Sequence, residues 1–283
     1  MSAEVLKYAA FTDQGRGGNP AGVVLHADCL SDAEMLAVAD AIGFSETAFV
    51  TDGGRGLRFF SPKAEVAFCG HATIATAVAL TERDGLADRE LVTAAGPIAV
   101  ETWQGPSGLQ AALTSPAASS RPASSSVVSE TLDALGWSTS DLDPRFPVHV
   151  ANAGNDHLVV GVSRLETLAA FDYDYDALAA LMDRELWTTL HAFVAVGPDT
   201  FRVRNAFPPG GVREDPATGA AAAAFAGYLR DLGVTPPRRV TLHQGVELGR
   251  PSLIVAETRT ADRRVRISGT ATRLALSPYD ELR

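Results

Sequence analysis

The chain is short of several things, and each shortage narrows what it can be. Its 283 residues include only two cysteines, Cys29 and Cys69. A disulfide framework is not expected from so few, and a reducing cytoplasm is the simplest setting. Basic residues are outnumbered: 24 Lys and Arg against 34 Asp and Glu leave a formal net charge of −10. That balance argues against nucleic acid and anionic membranes as partners. It leaves room for a small anionic ligand, because helix ends and a few basic groups can dominate a pocket. Met1-Ser2-Ala3-Glu4 lacks the basic and apolar stretches of a signal peptide. The longest uncharged small-residue run, Pro216 to Leu229, falls far below the roughly 20 residues that span a bilayer. The six histidines are scattered without metal-ligand spacing, so no metal is expected. There is no phosphate loop, no dinucleotide fingerprint and no G-x-S-x-G elbow. Hydrophobic residues at 46% and charged residues at 20% mark an ordinary globular chain, long enough for two domains.

What the chain does have is a repeat. Arg58-Phe59-Phe60-Ser61-Pro62 and Cys69-Gly70-His71-Ala72-Thr73 lead into the uncharged run Ile74 to Leu80. Arg204-Asn205-Ala206-Phe207-Pro208-Pro209 and Glu214-Asp215-Pro216-Ala217-Thr218-Gly219 lead into a second, Ala220 to Leu229. The offsets nearly agree: 204 − 58 = 146 and 217 − 72 = 145. Thr47-Ala48-Phe49-Val50 matches His191-Ala192-Phe193-Val194, and Gly18-Asn19-Pro20 matches Gly154-Asn155-Asp156. Such a pattern points to an internal duplication, with a site between two similar halves. The expected organisation is an N-terminal half over 1–116, a linker and connecting helix over 117–147, and a C-terminal half over 148–283. The last strand is placed with either half. The Ser-, Ala- and Pro-rich stretch 115–126 reads as the linker.

Short β-type segments dominate both halves, from Val5 to Phe11 through to Val265 to Ala275, punctuated by Gly, Pro and Asp. Ser31 with Glu34 forms a capping box before an amphipathic helix, and Asp174 to Leu186 is a second surface helix. Ala72 to Leu80 and Ala217 to Leu229 carry no charge, so each helix is expected to be buried on every side. A helix enclosed by a curved sheet is the economical arrangement, with a central helix between layers as the alternative. The expected class is α+β, each half a curved or barrel-like, mostly antiparallel sheet around its helix.

The starts of those helices are natural anion sites, and Gly70 and Gly219 would let a ligand approach the backbone. Asp215 before Pro216 reads first as an N-cap with proline at the first helical position. A carboxylate there could also hold a substrate amine or relay a proton. His71 is placed as the counterpart of Asp215, free to titrate near neutral pH or simply a satisfied core group. Glu46 enters a strand between Phe44 and Phe49, where apolar surroundings suit it to proton transfer. Otherwise it is a strand end facing water. Cys69 has no cysteine at the matching place, which makes a two-thiol racemase improbable. A Cys69–His71 nucleophile and base pair is also weak, because residues two apart rarely face one another in such a turn.

Gly18-Asn19-Pro20-Ala21-Gly22, Ser45-Glu46-Thr47-Ala48-Phe49, Cys69-Gly70-His71-Ala72-Thr73 and Glu214-Asp215-Pro216-Ala217-Thr218-Gly219 together resemble the PhzF-like isomerase family of phenazine biosynthesis. The wider superfamily includes diaminopimelate epimerase and proline racemase. The resemblance spans nearly the whole chain. It implies two barrel-like halves, cofactor-free acid–base chemistry and a homodimer. It puts the catalytic roles on Glu46, His71 and Asp215, with Glu46 carrying the proton. Asn19, Gly70, Ala72, Thr73, Thr218, Gly219 and Ala220 would bind the substrate. Many members have serine where this chain has Ala220, which bears on the substrate more than on the proton chemistry. The expected function is therefore an isomerase or epimerase acting on a small carboxylate-bearing molecule. The alternative is a catalytically inactive small-molecule binder on the same scaffold. A racemase using Cys69 alone is a third possibility.

Overall fold

The computed structural model describes residues 4–233, 238–260 and 262–275. Met1 to Ala3, read above for a leader, lie outside the described residues. The chain divides into two compact units: Met1–Thr114 with Ser268–Arg283, and Ser115–Ile267.

The N-terminal unit contains β1 (Leu6–Ala10), β2 (Asn19–Val24), α1 (Asp32–Ile42), β3 (Glu46–Thr51), β4 (Gly56–Phe60) and β5 (Glu65–Val66). These are followed by α2 (Gly70–Asp84), β6 (Arg89–Thr93), β7 (Gly96–Gly105) and most of β8 (Gly108–Ala117). β1 pairs antiparallel with β2, β2 parallel with β3, β3 antiparallel with β4, and β4 parallel with β6. β6, β7 and β8 continue antiparallel. The end of the last strand, Asp262–Arg273, pairs with β8 and returns antiparallel to β1, closing an eight-stranded ring.

Inside this ring lies α2, buried from His71 to Thr81 and packed against β1, β2, β3 and β7. Its small side chains let strands approach from all directions. Its threonines would be costly there if unpaired. Thr73, Thr76 and Thr81 instead donate their hydroxyls to the carbonyls four residues back, at 2.7, 2.8 and 2.8 Å.

The C-terminal unit contains β9 (Ser119–Pro122), α3 (Ser125–Leu135), β10 (His149–Asn152), β11 (Asp156–Gly161), α4 (Leu165–Ala169) and α5 (Tyr175–Glu185). Next come β12 (Trp187–Ala195), β13 (Thr200–Ala206), β14 (Glu214–Asp215), α6 (Gly219–Asp231), β15 (Arg238–Gln244) and β16 (Ser252–Arg259). Its last segment is Asp262–Ile267 of β17 (Asp262–Arg273). Its pairings follow the same series. β9/β10 and β10/β11 are antiparallel, β11/β12 parallel, β12/β13 antiparallel, β13/β15 parallel and β15/β16 antiparallel. α6 packs against β9, β10, β11 and β16. Gly227 permits this, because a Cβ there would stand 2.5 Å from the Ala118 Cβ.

The stretch 115–126 is not an irregular linker. It holds the end of β8, all of β9 and the start of α3. Its small polar residues are consumed by pairing. Ser115 Oγ accepts from the Val265 N–H at 3.0 Å, Ala118 N–H donates to the Arg263 carbonyl at 2.8 Å, and Asp231 accepts from the Ser120 N–H at 2.9 Å. Composition alone could not show partners so far away in sequence.

Candidate active site

α2 begins without a side-chain cap. Cys69 is its N-cap, with extended backbone, and its side chain makes no capping hydrogen bond. α6 begins the same way at Thr218. The three eleven-residue helices differ: Ser31, Ser124 and Asp174 each cap their own helix through a side-chain oxygen. The two core helices thus keep the positive ends of their dipoles available to an anion.

Glu46 opens β3, and the parallel register sets it beside Ala21 of β2. Its carboxylate Oε2 lies 3.4 Å from Nε2 of His71 at the start of α2. The Glu46 side chain is 18% exposed and His71 is 7% exposed. Ser45 Oγ lies 3.5 Å from the same Nε2. Asn19, the buried first residue of β2, places Nδ2 3.4 Å from Nδ1 of His71. An amide N–H donated to Nδ1 leaves the imidazole hydrogen on Nε2, where Glu46 accepts it. This hydrogen placement is inferred from the bonding pattern. A neutral imidazole so held can steady the carboxylate or exchange a proton with it.

Cys69 corrects the expectation that it would not face His71. Its Sγ lies 3.3 Å from Nδ1 and 3.9 Å from Nε2. The reason is the N-cap geometry. Cys69 has φ −143° and ψ 114°, outside the helix, so its side chain folds over the first turn, where His71 also sits. Glu46, Cys69 and His71 each offer one ligand atom, and these atoms lie within 4.8 Å of one another. Thr73 and Ala72 are fully buried, and the Thr73 hydroxyl is engaged by the Cys69 carbonyl.

In the C-terminal unit, Asp215 is not a helix N-cap. It ends β14, and Thr218 is the N-cap of α6. The turn between them is locked by Gln244, a buried residue at the end of β15 that the sequence reading missed. Gln244 Nε2 donates to the Asp215 carbonyl at 2.6 Å and to Thr218 Oγ1 at 3.0 Å. Its Oε1 accepts from the Thr218 N–H at 3.1 Å, and Thr218 Oγ1 donates to Asp215 Oδ2 at 2.6 Å. Gly245 follows with φ +70°, and a Cβ there would stand 2.7 Å from the Pro216 carbonyl. Gly219 is buried and Ala220 partly so, directly after this turn.

The pairings also correct the matching of the halves. Glu65 pairs with Phe60 as Glu214 pairs with Ala206. From there to the helix starts the offset is 149: 214 − 65 = 149 and 219 − 70 = 149. His71 therefore corresponds to Ala220, and Asp215 to Val66. The turn between β13 and β14 is three residues longer than that between β4 and β5 (207–213 against 61–64), which shifted the sequence match. A shared feature went unread. Arg58 grips Glu65 through two bonds at 2.7 and 2.8 Å, and Arg204 grips Glu214, which pins each short strand ahead of its helix.

A second polar cluster in this unit is sealed. His157 Nδ1 lies 2.8 Å from Thr189 Oγ1, Thr189 donates to Asn205 Oδ1 at 3.2 Å, and His191 Nδ1 lies 3.1 Å from the same oxygen. Both histidines are fully buried, with no hydrogen-bond partner at Nε2. Burial pushes their pKa values down, to about 3 for His157 and about 4 for His191.

Comparison with known proteins places this architecture. A model of the phenazine biosynthesis-like protein family (PhzC-PhzF) matches residues 8–276. The trans-2,3-dihydro-3-hydroxyanthranilate isomerase of Pseudomonas chlororaphis is 34% identical, over 92% of this chain and 93% of its own length. An uncharacterized isomerase of Bacillus subtilis is 30% identical, over 95% of both chains. The crystal structure of a PhzF-family phenazine biosynthesis protein from Bacillus anthracis superposes with a TM-score of 0.87 at 26% identity, covering 97% of this chain and 98% of that one. The chain belongs to the PhzC-PhzF family, and it is an enzyme of the isomerase class. Among the described residues, no helix is long and apolar enough to cross a membrane.

Proposed function

We propose that this isomerase moves a proton between carbon atoms of a small carboxylate-bearing substrate, without a cofactor, and that Glu46 carries the proton. The observation that supports this best is the Glu46 carboxylate 3.4 Å from the His71 imidazole, beside the uncapped start of α2. The substrate carboxylate would accept N–H bonds from the first turn of the helix, which binds and orients it. Ionised Glu46 would take a proton from one carbon, leaving the electron pair on the substrate and a neutral carboxylic acid on the enzyme. That acid would return the proton to a second carbon. His71, donating from Nε2, would hold the carboxylate in line, and Asn19 would fix the ring. By the family resemblance, Asp215 would share in the catalysis, and Thr218, Gly219 and Ala220 in substrate binding. With Ala220 rather than a hydroxyl-bearing residue at the third of these helix-start positions, a backbone amide is what that position offers.

The chemistry of the Pseudomonas relative makes trans-2,3-dihydro-3-hydroxyanthranilate the first trial substrate. Small cyclic and aliphatic amino and hydroxy acids come next. Incubated in deuterium oxide, a substrate should gain label at the carbon that is reprotonated. Glu46→Gln should lower the rate at least about 100-fold, the usual scale for a general acid–base group, with an unchanged melting temperature. Undiminished label incorporation in that variant would remove Glu46 from the mechanism.

We also infer that the two units arose by internal duplication. The reading is supported by their matching series of strand pairings and by the Arg58–Glu65 and Arg204–Glu214 clamps. A homodimer is the assembly implied by the family resemblance, and a reducing cytoplasm the setting suggested by the two cysteines; light scattering would test the assembly.

A further inference from the structure

We propose that Glu46, Cys69 and His71 form a binding site for a thiophilic divalent ion, Zn²⁺ above all, and that its occupation switches the enzyme off. Binding stands on the geometry of the three side chains. Only the inhibitory consequence rests on the proton-transfer reading of Glu46.

Tetrahedral zinc with ordinary bond lengths of about 2.3 Å to sulfur and 2.0–2.1 Å to nitrogen or oxygen requires ligand edges of about 3.6 Å for S···N and about 3.3 Å for N···O. The structure has 3.9 Å from Cys69 Sγ to His71 Nε2 and 3.4 Å from His71 Nε2 to Glu46 Oε2. A Glu46 carboxylate oxygen also lies within 4.8 Å of Cys69 Sγ. Rotation of the three side chains is what would close the remaining gap. Charge also balances: one thiolate, one carboxylate and one neutral imidazole offset a dication. The sulfur ligand selects against magnesium and calcium, which take oxygen donors. Three protein ligands leave a fourth position for water or a substrate group, the pattern of an open zinc site.

An outer shell is present as well. Metal at Nε2 places the imidazole hydrogen on Nδ1, 3.4 Å from the Asn19 carboxamide. Turned over, that amide presents Oδ1 as the acceptor, which would hold the ring in its metal-binding tautomer. The consequence follows from the shared atoms. The Glu46 oxygen and the His71 nitrogen that face each other are the ones the ion would occupy, so a loaded site has no free base.

Cobalt(II) is the spectroscopic probe and zinc the competitor. The protein should bind one Co²⁺ per chain with an intense sulfur-to-cobalt charge-transfer band, which added Zn²⁺ removes and Mg²⁺ does not. Cys69→Ser should abolish the band. Glu46→Gln should weaken zinc binding at least about tenfold, and it keeps the protein testable should Cys69→Ser fail to fold. Cys29→Ser, at an exposed position, should leave the band intact. Zinc should inhibit isomerisation, with recovery on chelation. Absence of the band, its loss in Cys29→Ser with retention in Cys69→Ser, or zinc affinity unchanged by Glu46→Gln would each overturn the site. Stoichiometric zinc binding with full activity would overturn the switch. A failed deuterium-exchange test with zinc binding intact would count only against Glu46 as the proton carrier.

Discussion

At the start of α2 the N-terminal unit places Cys69, Gly70 and His71, while at the start of α6 the C-terminal unit places Thr218, Gly219 and Ala220. Both helices are uncapped, and both follow a short strand pinned by an Arg–Glu clamp. The difference lies in the surroundings of His71 on one side and of His157 and His191 on the other. His71 sits at a helix start within reach of a carboxylate, an amide, a hydroxyl and a thiol. His157 and His191 are sealed among β11, β12 and β13, and the His191 ring centre is 4.9 Å from that of Phe225 on α6. One pairing pattern thus supports a cluster of polar side chains at a helix start in one unit and a locked turn over a neutral polar core in the other.

The sealed histidines provide the largest test of this contrast. Their folded pKa values are lowered by burial, to about 3 and about 4, against roughly 6.5 in an unfolded chain. Between those limits the unfolded state binds more protons than the folded one, so stability falls as pH falls. Their contribution is complete above about pH 6.5 and is lost progressively toward about pH 3, a change on the order of several kcal/mol for the pair. Denaturant unfolding across that range should show this slope. The double variant His157→Asn/His191→Asn should flatten it, whatever its absolute stability. An unchanged slope would mean that these rings are hydrated or charged in the folded protein.

Close packing around the two helices gives a smaller effect. Gly227→Ala puts a Cβ 2.5 Å from that of Ala118, so helix and strand must part. A cost of about 1–3 kcal/mol is expected, partly offset by better helix propensity. In α2 the contrasting position is Gly70, where a Cβ would meet nothing nearer than Phe68 at 4.0 Å. Gly70→Ala should leave the melting temperature nearly unchanged. Equal losses in the two variants would deny that α6 is the more tightly enclosed helix at these points.

Much of this contrast was legible in the residues. Uncharged runs marked both core helices, because a helix lacking a polar face has nowhere to meet water. Ser31 and Glu34 announced a capping box that the structure contains in full. The Asp215-Pro216 pair misled, because its local chemistry fits a helix start while Gln244, 29 positions later, holds the segment as a turn. A separation of two residues argues against a Cys69–His71 pair, and only the N-cap dihedrals of Cys69 show how the two meet. The match of His71 to Asp215 failed for lack of strand register, since a three-residue longer turn is invisible until the pairings are known. The buried His157–Thr189–Asn205–His191 cluster carried no sequence signal beyond polar residues at alternate strand positions.

The capped surface helices complete the comparison from the stable side. Ser31 Oγ accepts from the Glu34 N–H at 3.4 Å, and Glu34 Oε2 accepts from the Ser31 N–H at 2.8 Å. Ser31→Ala removes the hydroxyl half of this exchange in a solvent-exposed setting, and about 1 kcal/mol should be lost. Thr218 stands at the same position of α6, but its hydroxyl donates to Asp215 instead of accepting from the helix. The loss in Thr218→Val should therefore come from its bonds to Asp215 and Gln244 and not from the helix start. Double-mutant cycles separate the two cases. Ser31→Ala should couple to Glu34→Ala, and Thr218→Val to Asp215→Asn. If Thr218→Val costs the same in the Asp215→Asn background as in the wild type, the bond to Asp215 contributes nothing, and the hydroxyl acts through Gln244 instead.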